Sequence, residues 1–477
     1  MKKSSAVLWV AALTPLAAPA QKSPNPAPPV LGPPPALTVP LARSGTLANG
    51  VQLRVVEQRE LPLVQVLLVV SGGARLDGDK PGLATFMANM LDEGAAARDA
   101  LALQSELAYL GASLSTAADW DQVTVSLRVP VRNLRPALDL MADVVLRPSF
   151  SSAEVRRQQQ LRLAALLQQR DQPNVLADLA FHRVLFPAQH PYSRSLQGDS
   201  ASTAGFDSAT VRAFYERVMQ PRRTTIYVVG DIDEPQAREL LSPRFGAWRA
   251  ATTASAPPAA PNVNAPDTRR VYLVDKPGAA QSVINIGWPG VERRSADYPA
   301  IVVMNTLLGG SFTSRLNMNL RETKGYTYGA SSRFVFRPLP GPFIASAAVR
   351  TNVTDSSLVE FFKELNALRE TPVPAEELER AKAYVELGLP GSLETVAQVA
   401  GQMNQLELFG LTLDELPRFA AAVRAVTPED VRRVARNYLM PERAVVVIVG
   451  DLAAIRKPVE ALGLGPVTVL EVASLAR

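Results

Sequence analysis

The closing segment of the chain's first half returns 220 residues later. Val211-Arg212, Tyr215, Pro221, Arg223, a β-rich run from Thr224 to Val229 and Gly230-Asp231 are matched by Val431-Arg432, Tyr438, Pro441, Arg443, a β-rich run from Ala444 to Val449 and Gly450-Asp451. Pro221 to Pro441 and Gly230 to Gly450 both span that offset, while the tyrosine stands at a different distance from the proline in each copy. Several identities held at one offset mark a duplicated unit. Nothing else in the sequence constrains the fold as strongly, because the layers one half builds must be built again by the other.

The 477 residues suffice for two large domains. Residues 22 to 40 contain eight prolines and read as an extended tether, and residues 250 to 266 are rich in Ala, Pro, Asn and Thr without periodicity. The division expected is a leader over 1–20, a Pro-rich tether over 21–41, a first domain over 42–249, a linker over 250–268, a second domain over 269–462 and a tail over 463–477. Val51 to Val56 and Val64 to Ser71 are strand-like, and Val123 to Val129 alternates apolar residues at every second position. Gly82 to Leu91 and Ala153 to Gln169 carry helical spacing. Strands and helices in blocks predict an α+β fold, two homologous mixed domains each with an antiparallel-rich sheet packed by helices.

Lys2 and Lys3 precede an apolar stretch from Ala6 to Ala18 and the small-residue pattern Ala18-Pro19-Ala20, the three regions of a secretory signal peptide. The stretch is too short to span a bilayer, and no later segment reaches that length, so no stable membrane insertion is expected. With no Cys there is no lipid attachment at the cleavage site, and a periplasmic or secreted protein is expected. The absence of Cys also removes thiolate nucleophiles and sulfur ligands. A net charge of +5 from 50 basic and 45 acidic residues, with no basic run, gives no footprint for nucleic acid.

The segment Gly82-Leu83-Ala84-Thr85-Phe86-Met87-Ala88-Asn89-Met90-Leu91 resembles the zinc-binding helix of the pitrilysin/insulinase peptidase family. In active members that helix carries H-x-x-E-H, two ligands one turn apart and a Glu that serves as general base on the zinc-bound water. Here Thr85 and Asn89 stand at the two His positions and Ala88 at the Glu position. The family's third ligand, placed by the turn Asp171-Gln172-Pro173, falls on Ala165. The chain's two histidines, His182 and His190, cannot make up a three-ligand set, and a packing or turn role is expected for His190. Asn89, Asp92 and Glu93 offer too few oxygens for calcium. No metal is therefore expected in this chain.

A second segment, Leu307-Leu308-Gly309-Gly310-Ser311-Phe312-Thr313-Ser314-Arg315-Leu316 continuing to Asn319-Leu320-Arg321-Glu322-Thr323-Lys324-Gly325-Tyr326-Thr327-Tyr328-Gly329, is similar to the family's second-domain signature. Phe312, Leu316 and Leu320 recur every four residues, predicting a helix with one apolar stripe, stopped at Gly325. Tyr326 to Phe336 then reads as a strand, and Arg315 as a structural ion-pair former. The resemblance implies that Arg321 and Tyr328, seven apart, bind the substrate carbonyl beside the scissile bond, with Gly309 and Gly310 in substrate binding. Two such donors aimed at a developing oxyanion stabilise a transition state by ~2.7–4 kcal/mol each. Taken alone, Arg321 would be a helix-end cation worth ~0.3–1 kcal/mol and Tyr328 a packed strand residue. The edge strand implied over Gly111 to Ala118 pairs with substrate in the family, though exposed edges are common in open sheets.

The resemblance implies a half-clamshell. Its function would be that of the zinc-free subunit of a heteromeric peptidase, inactive alone, supplying Arg321 and Tyr328 to a zinc-bearing homologous partner that hydrolyses peptides. The alternative is a non-enzymatic peptide-binding or scaffold protein on the same fold.

Overall fold

Residues 36–250 and 259–475 are described by the computed structural model; the expected leader and residues 21–35 of the expected tether lie outside them, as do residues 251–258 of the linker. In the first half, β1 (Ala42–Thr46), β2 (Gln52–Glu57), β3 (Leu63–Ser71), β4 (Ser113–Ala118), β5 (Gln122–Pro130) and β6 (Thr224–Gly230) form one sheet in the order β1-β2-β6-β3-β5-β4. Neighbours are antiparallel except β2 and β6. Alternation is the reason β5 sits where it does: Val123, Val125, Leu127 and Val129 are buried while Arg128 between them is exposed. The helices used below are α1 (Leu83–Met90), α2 (Leu134–Leu146), α3 (Ser152–Gln169), α4 (Pro173–Leu185) and α5 (Ser208–Val218). Phe86 and Met87 of α1, Leu138 and Met141 of α2 and Val211 and Phe214 of α5 share a core with Val66, Leu68 and Leu127 of the sheet.

The second half repeats this plan. Its strands β7 (Arg270–Asp275), β8 (Gln281–Pro289), β9 (Thr327–Phe334), β10 (Pro342–Arg350), β11 (Val445–Gly450) and β12 (Val467–Leu470) are ordered β9-β10-β8-β11-β7-β12. Its helices include α6 (Tyr298–Asn305), α7 (Thr354–Glu370), α8 (Ala375–Gly388), α9 (Val396–Glu407) and α10 (Pro428–Tyr438). The copies superpose in sequence at the repeat offset: α5 begins at Ser208 and α10 at Pro428, and single turns of 3₁₀ helix at Pro221–Arg223 and Pro441–Arg443 lead into β6 and β11. One edge has diverged, since β1 runs antiparallel to β2 whereas β12 runs parallel to β7.

Each sheet has a second apolar face, and each half covers the other's. Leu176, Ala177, Ala180 and Phe181 of α4 pack on Val283, Ile344, Val445 and Val447 of the second sheet. Val396, Val399, Ala400 and Met403 of α9 pack on Val56, Val69, Tyr227 and Val229 of the first. Gly287 in β8 is what lets α4 approach, because a Cβ there would lie 2.7 Å from Phe181 Cζ and 2.0 Å from Phe343 O. Polar ties reinforce the exchange: the Gln122 and Asn404 amides bond each other at 3.1 and 2.9 Å, and Glu407 takes Arg54 Nε and the Tyr227 hydroxyl, both at 2.5 Å. Burying a large apolar side chain contributes roughly 1.5–3 kcal/mol, so the two exchanged helices hold the halves together strongly.

The helix expected after Gly310 forms, but with a different stripe. It begins at Arg315, and Leu316 and Leu320 are fully buried, whereas Phe312 lies in the preceding turn and is exposed. Its last turns, Met318–Thr323, are wound as π-helix, as are Thr306–Gly310 upstream. Phe312 leaves the stripe because it precedes the helix, and the wider winding shows at the end, where Lys324 N bonds Asn319 O five residues back at 2.9 Å. Gly325 ends the segment at φ +62°.

Candidate functional site

Helix α1 starts at Gly82, in the left-handed region at φ +87°, where a Cβ would meet Gln197 O at 2.6 Å. Asp77 caps it, accepting from Gly82 N and Ala84 N, both at 2.8 Å. Burial pushes the Asp77 carboxyl up to about 7, against the pull of those two backbone donors. One turn in, Thr85 Oγ1 lies 2.7 Å from Leu196 O and accepts from Arg162 Nη1 at 2.9 Å. The same Nη1 donates to Gly82 O at 3.1 Å. With its amide oriented to satisfy both neighbours, Asn89 accepts from Arg162 Nη2 at 3.1 Å through its oxygen and donates its nitrogen to Thr85 O at 3.2 Å. Arg162, 6% exposed, thus bridges the two side chains at the positions that the resemblance assigns to zinc ligands, its guanidinium 5.2 Å from the centre of the Phe86 ring. Burial lowers Arg162 to about 10, partly offset by the Asp77 charge, so it is a cation at neutral pH.

Ala88 is fully buried in the core, and Ala165 is exposed on α3 beside Arg162, at the mouth of a cavity of about 200 Å³ shared with Asn89 and Gln197. The residues at these four positions do not fit zinc. Two are methyl groups, and the two oxygens that face the site are both committed to a guanidinium that already brings positive charge. Among the described residues no group of three or more His, Cys, Asp or Glu could hold a metal. Glu93 is taken by Arg157 and Gln158. His182 Nδ1 lies 2.9 Å from Tyr192 O, so that nitrogen donates, and His190 Nδ1 accepts from Tyr192 N at 3.1 Å. Both rings stack on Phe186. Burial lowers both, His190 to about 4, which keeps them neutral.

The second-half positions contrast with this closed site. Arg321 sits at the end of the π-wound segment, its Nε 3.2 Å from Glu322 Oε1 and its guanidinium 4.7 Å from the Phe312 ring centre, on the protein surface. Tyr328 lies in a bulge of the edge strand β9, where pairing with β10 shifts between Thr327 and Ala330. A bulge re-aims a side chain, and the Tyr328 ring is 89% exposed. Its hydroxyl has no bonding partner among the described residues. Thr327 anchors the bulge, its Oγ1 donating to Ala348 O at 2.7 Å and accepting from Gly329 N at 3.1 Å. Gly309 is buried, and a Cβ would stand 2.3 Å from Ser332 N, so this glycine allows the Thr306–Gly310 turn to lie on β9. Gly310 is exposed, beside Asn305. Arg315 makes a two-pronged, half-buried pair with Glu377 at 2.7 and 2.8 Å. Strand β4 forms the corresponding open edge of the first sheet.

Arg162 is the residue that sequence reasoning overlooked. It precedes Ala165 by three, hence shares its helix face, and an arginine on that face opposite two polar replacements on α1 was the available signal.

Two family models match, "Insulinase (Peptidase family M16)" over residues 54–197 and "Peptidase M16 inactive domain" over residues 205–385, together more than half of the chain. The uncharacterized zinc protease YmxG of Bacillus subtilis is 21% identical over 407 residues, 84% of this chain and 97% of that protein. A crystal structure of a peptidase M16 inactive domain from Pseudomonas fluorescens is 27% identical with a TM-score of 0.80, covering 86% of this chain and 98% of that one. The periplasmic protease PqqL of Escherichia coli shares the fold at 16% identity and a TM-score of 0.72, over 93% of this chain and 50% of PqqL. Duplicated sheets, exchanged helices and the two signature segments thus agree with what the comparisons find: the chain belongs to the M16, or insulinase, peptidase family.

Proposed function

We propose that this protein is the metal-free subunit of a two-chain peptidase and contributes Arg321 and Tyr328 to peptide hydrolysis at the zinc of a homologous partner. The observation that carries this reading is an asymmetry. At the zinc-ligand positions every polar group is consumed by Arg162, whereas Arg321 and Tyr328 are presented outward with donors to spare. A guanidinium and a phenol both donate hydrogen bonds, and both suit a carbonyl oxygen that gains negative charge. Gly310, exposed on the turn before this segment, offers backbone to the same peptide, and Gly309 holds that turn in place. The domains over 42–249 and 269–462 would together make the half-shell that faces the partner. Export to the periplasm or medium fits the leader-like N-terminus and the likeness to a periplasmic protease.

Co-expression with a zinc-bearing homologue from the same source tests the reading. Arg321→Ala and Tyr328→Phe should each lower kcat by about 10²-fold or more, the loss seen when one oxyanion donor is removed, while leaving the two chains associated. Association with unchanged turnover in both variants would instead favour a scaffold role.

A further inference from the structure

We infer that Arg162 is an internal replacement for the metal ion, a positioning residue that bars divalent cations from this site even when metal ligands are supplied. Side chains at 85 and 89, one turn apart on α1, converge on a single point in front of the helix, and zinc held by two imidazoles there would sit about 2.0–2.1 Å from each nitrogen. That point is occupied. Arg162 Nη1 is 2.9 Å from Thr85 Oγ1 and Nη2 is 3.1 Å from Asn89 Oδ1. The guanidinium is clamped by Gly82 O, by the face of Phe86 and by the charge of buried Asp77 at the start of the same helix. Ala165, one turn further along α3, leaves open space on the other side. One fixed cation therefore does the structural task of another, tying α3 to α1. A divalent ion entering beside it meets a like charge at short range. Loss of the metal in this chain is then more than loss of ligands, and reversal needs more than their return. This inference stands whether or not the chain works with a partner.

The test uses two variants of the full chain. One carries T85H, A88E, N89H and A165E with Arg162 kept; the other adds Arg162→Gln. Zinc bound after dialysis and the zinc-induced shift in melting temperature are measured. The variant that keeps Arg162 should hold zinc on the order of 100-fold more weakly, and the variant without it should take up one zinc per chain. Equal affinity in the two, or no zinc in either when both give the natural far-ultraviolet spectrum, overturns the inference. Should the multiple variants not fold, Arg162→Ala in the natural sequence keeps it falsifiable. Its lowered melting temperature should recover with added methylguanidinium and not with methylammonium; recovery with both or with neither overturns it.

Discussion

At the scale of single residues, the energetics of the closed site follow from what each polar atom faces. Removing the guanidinium in Arg162→Met leaves Thr85 Oγ1 and the Asn89 amide oxygen without the donor they face and takes one of several donors from Gly82 O. Losing hydrogen bonds to a charged group costs about 1.5–3 kcal/mol, measurable by urea denaturation, and a cost below 1 kcal/mol would contradict the bonding described. His190 gives a pH signature. Its folded value of about 4 lies below the ordinary 6.5, so the stability it contributes is complete above pH 6.5 and is lost as pH falls toward 4. Asp77, raised to about 7, acts in the opposite sense, its contribution being complete below the ordinary carboxylate range and lost as pH rises to 7. The clean observable is therefore a difference between proteins. His190→Asn should cost about 2–3 kcal/mol less at pH 4.5 than at pH 7.5, relative to the natural chain, and a penalty independent of pH would show that the ring is not held neutral. The losses at Thr85, Ala88, Asn89 and Ala165 were legible in the sequence, because each falls at a fixed place in a motif. Arg162 was missed although its spacing from Ala165 was in view, because only the tertiary contact shows that its side chain reaches both Thr85 and Asn89.

At the scale of elements, alternation predicted β5 and the β-branched runs predicted β2, β3, β6 and β11, since a pleated half-buried strand leaves its period in the sequence. The segment from Thr306 to Thr323 was harder. Helical spacing at every fourth residue assigned Phe312 to the buried stripe, but Phe312 precedes the helix and lies in solvent under Arg321, between the two sets of π-wound turns. Those turns also bring Gly309 against Ser332, so Gly309→Ala should push the 306–310 turn off β9. Overpacking of this kind costs typically 1–3 kcal/mol. We expect it to weaken substrate turnover along with stability, whereas Gly310→Ala, whose Cβ would press less closely, 2.9 Å from the Asn305 side chain and 3.0 Å from its carbonyl oxygen, should cost less in thermal denaturation. Equal effects would mean that the close approach to β9 is not what Gly309 provides.

At the scale of the whole molecule, the repeat announced two copies of one fold but not how they join. The helices α4 and α9 were not singled out in the sequence, and nothing in their pattern says that each is buried on the other half's sheet. That exchange predicts one cooperative transition. Phe181→Ala should lower stability by about 3–5 kcal/mol and destabilise both halves together, with coincident unfolding curves at Trp248 and Trp288, which report on different sheets. Separate transitions would contradict the exchange as the main tie. A rigid half-shell is what a subunit needs if it must hold Arg321 and Tyr328 at fixed positions against another chain's metal. Peptide hydrolysis by this protein, by a zinc-bearing homologue and by their mixture is the most direct measurement. The mixture should turn over peptide, with Tyr328→Phe about 10²-fold slower, and this protein alone should not; stoichiometric zinc and unaided cleavage by the isolated chain would contradict the division of labour.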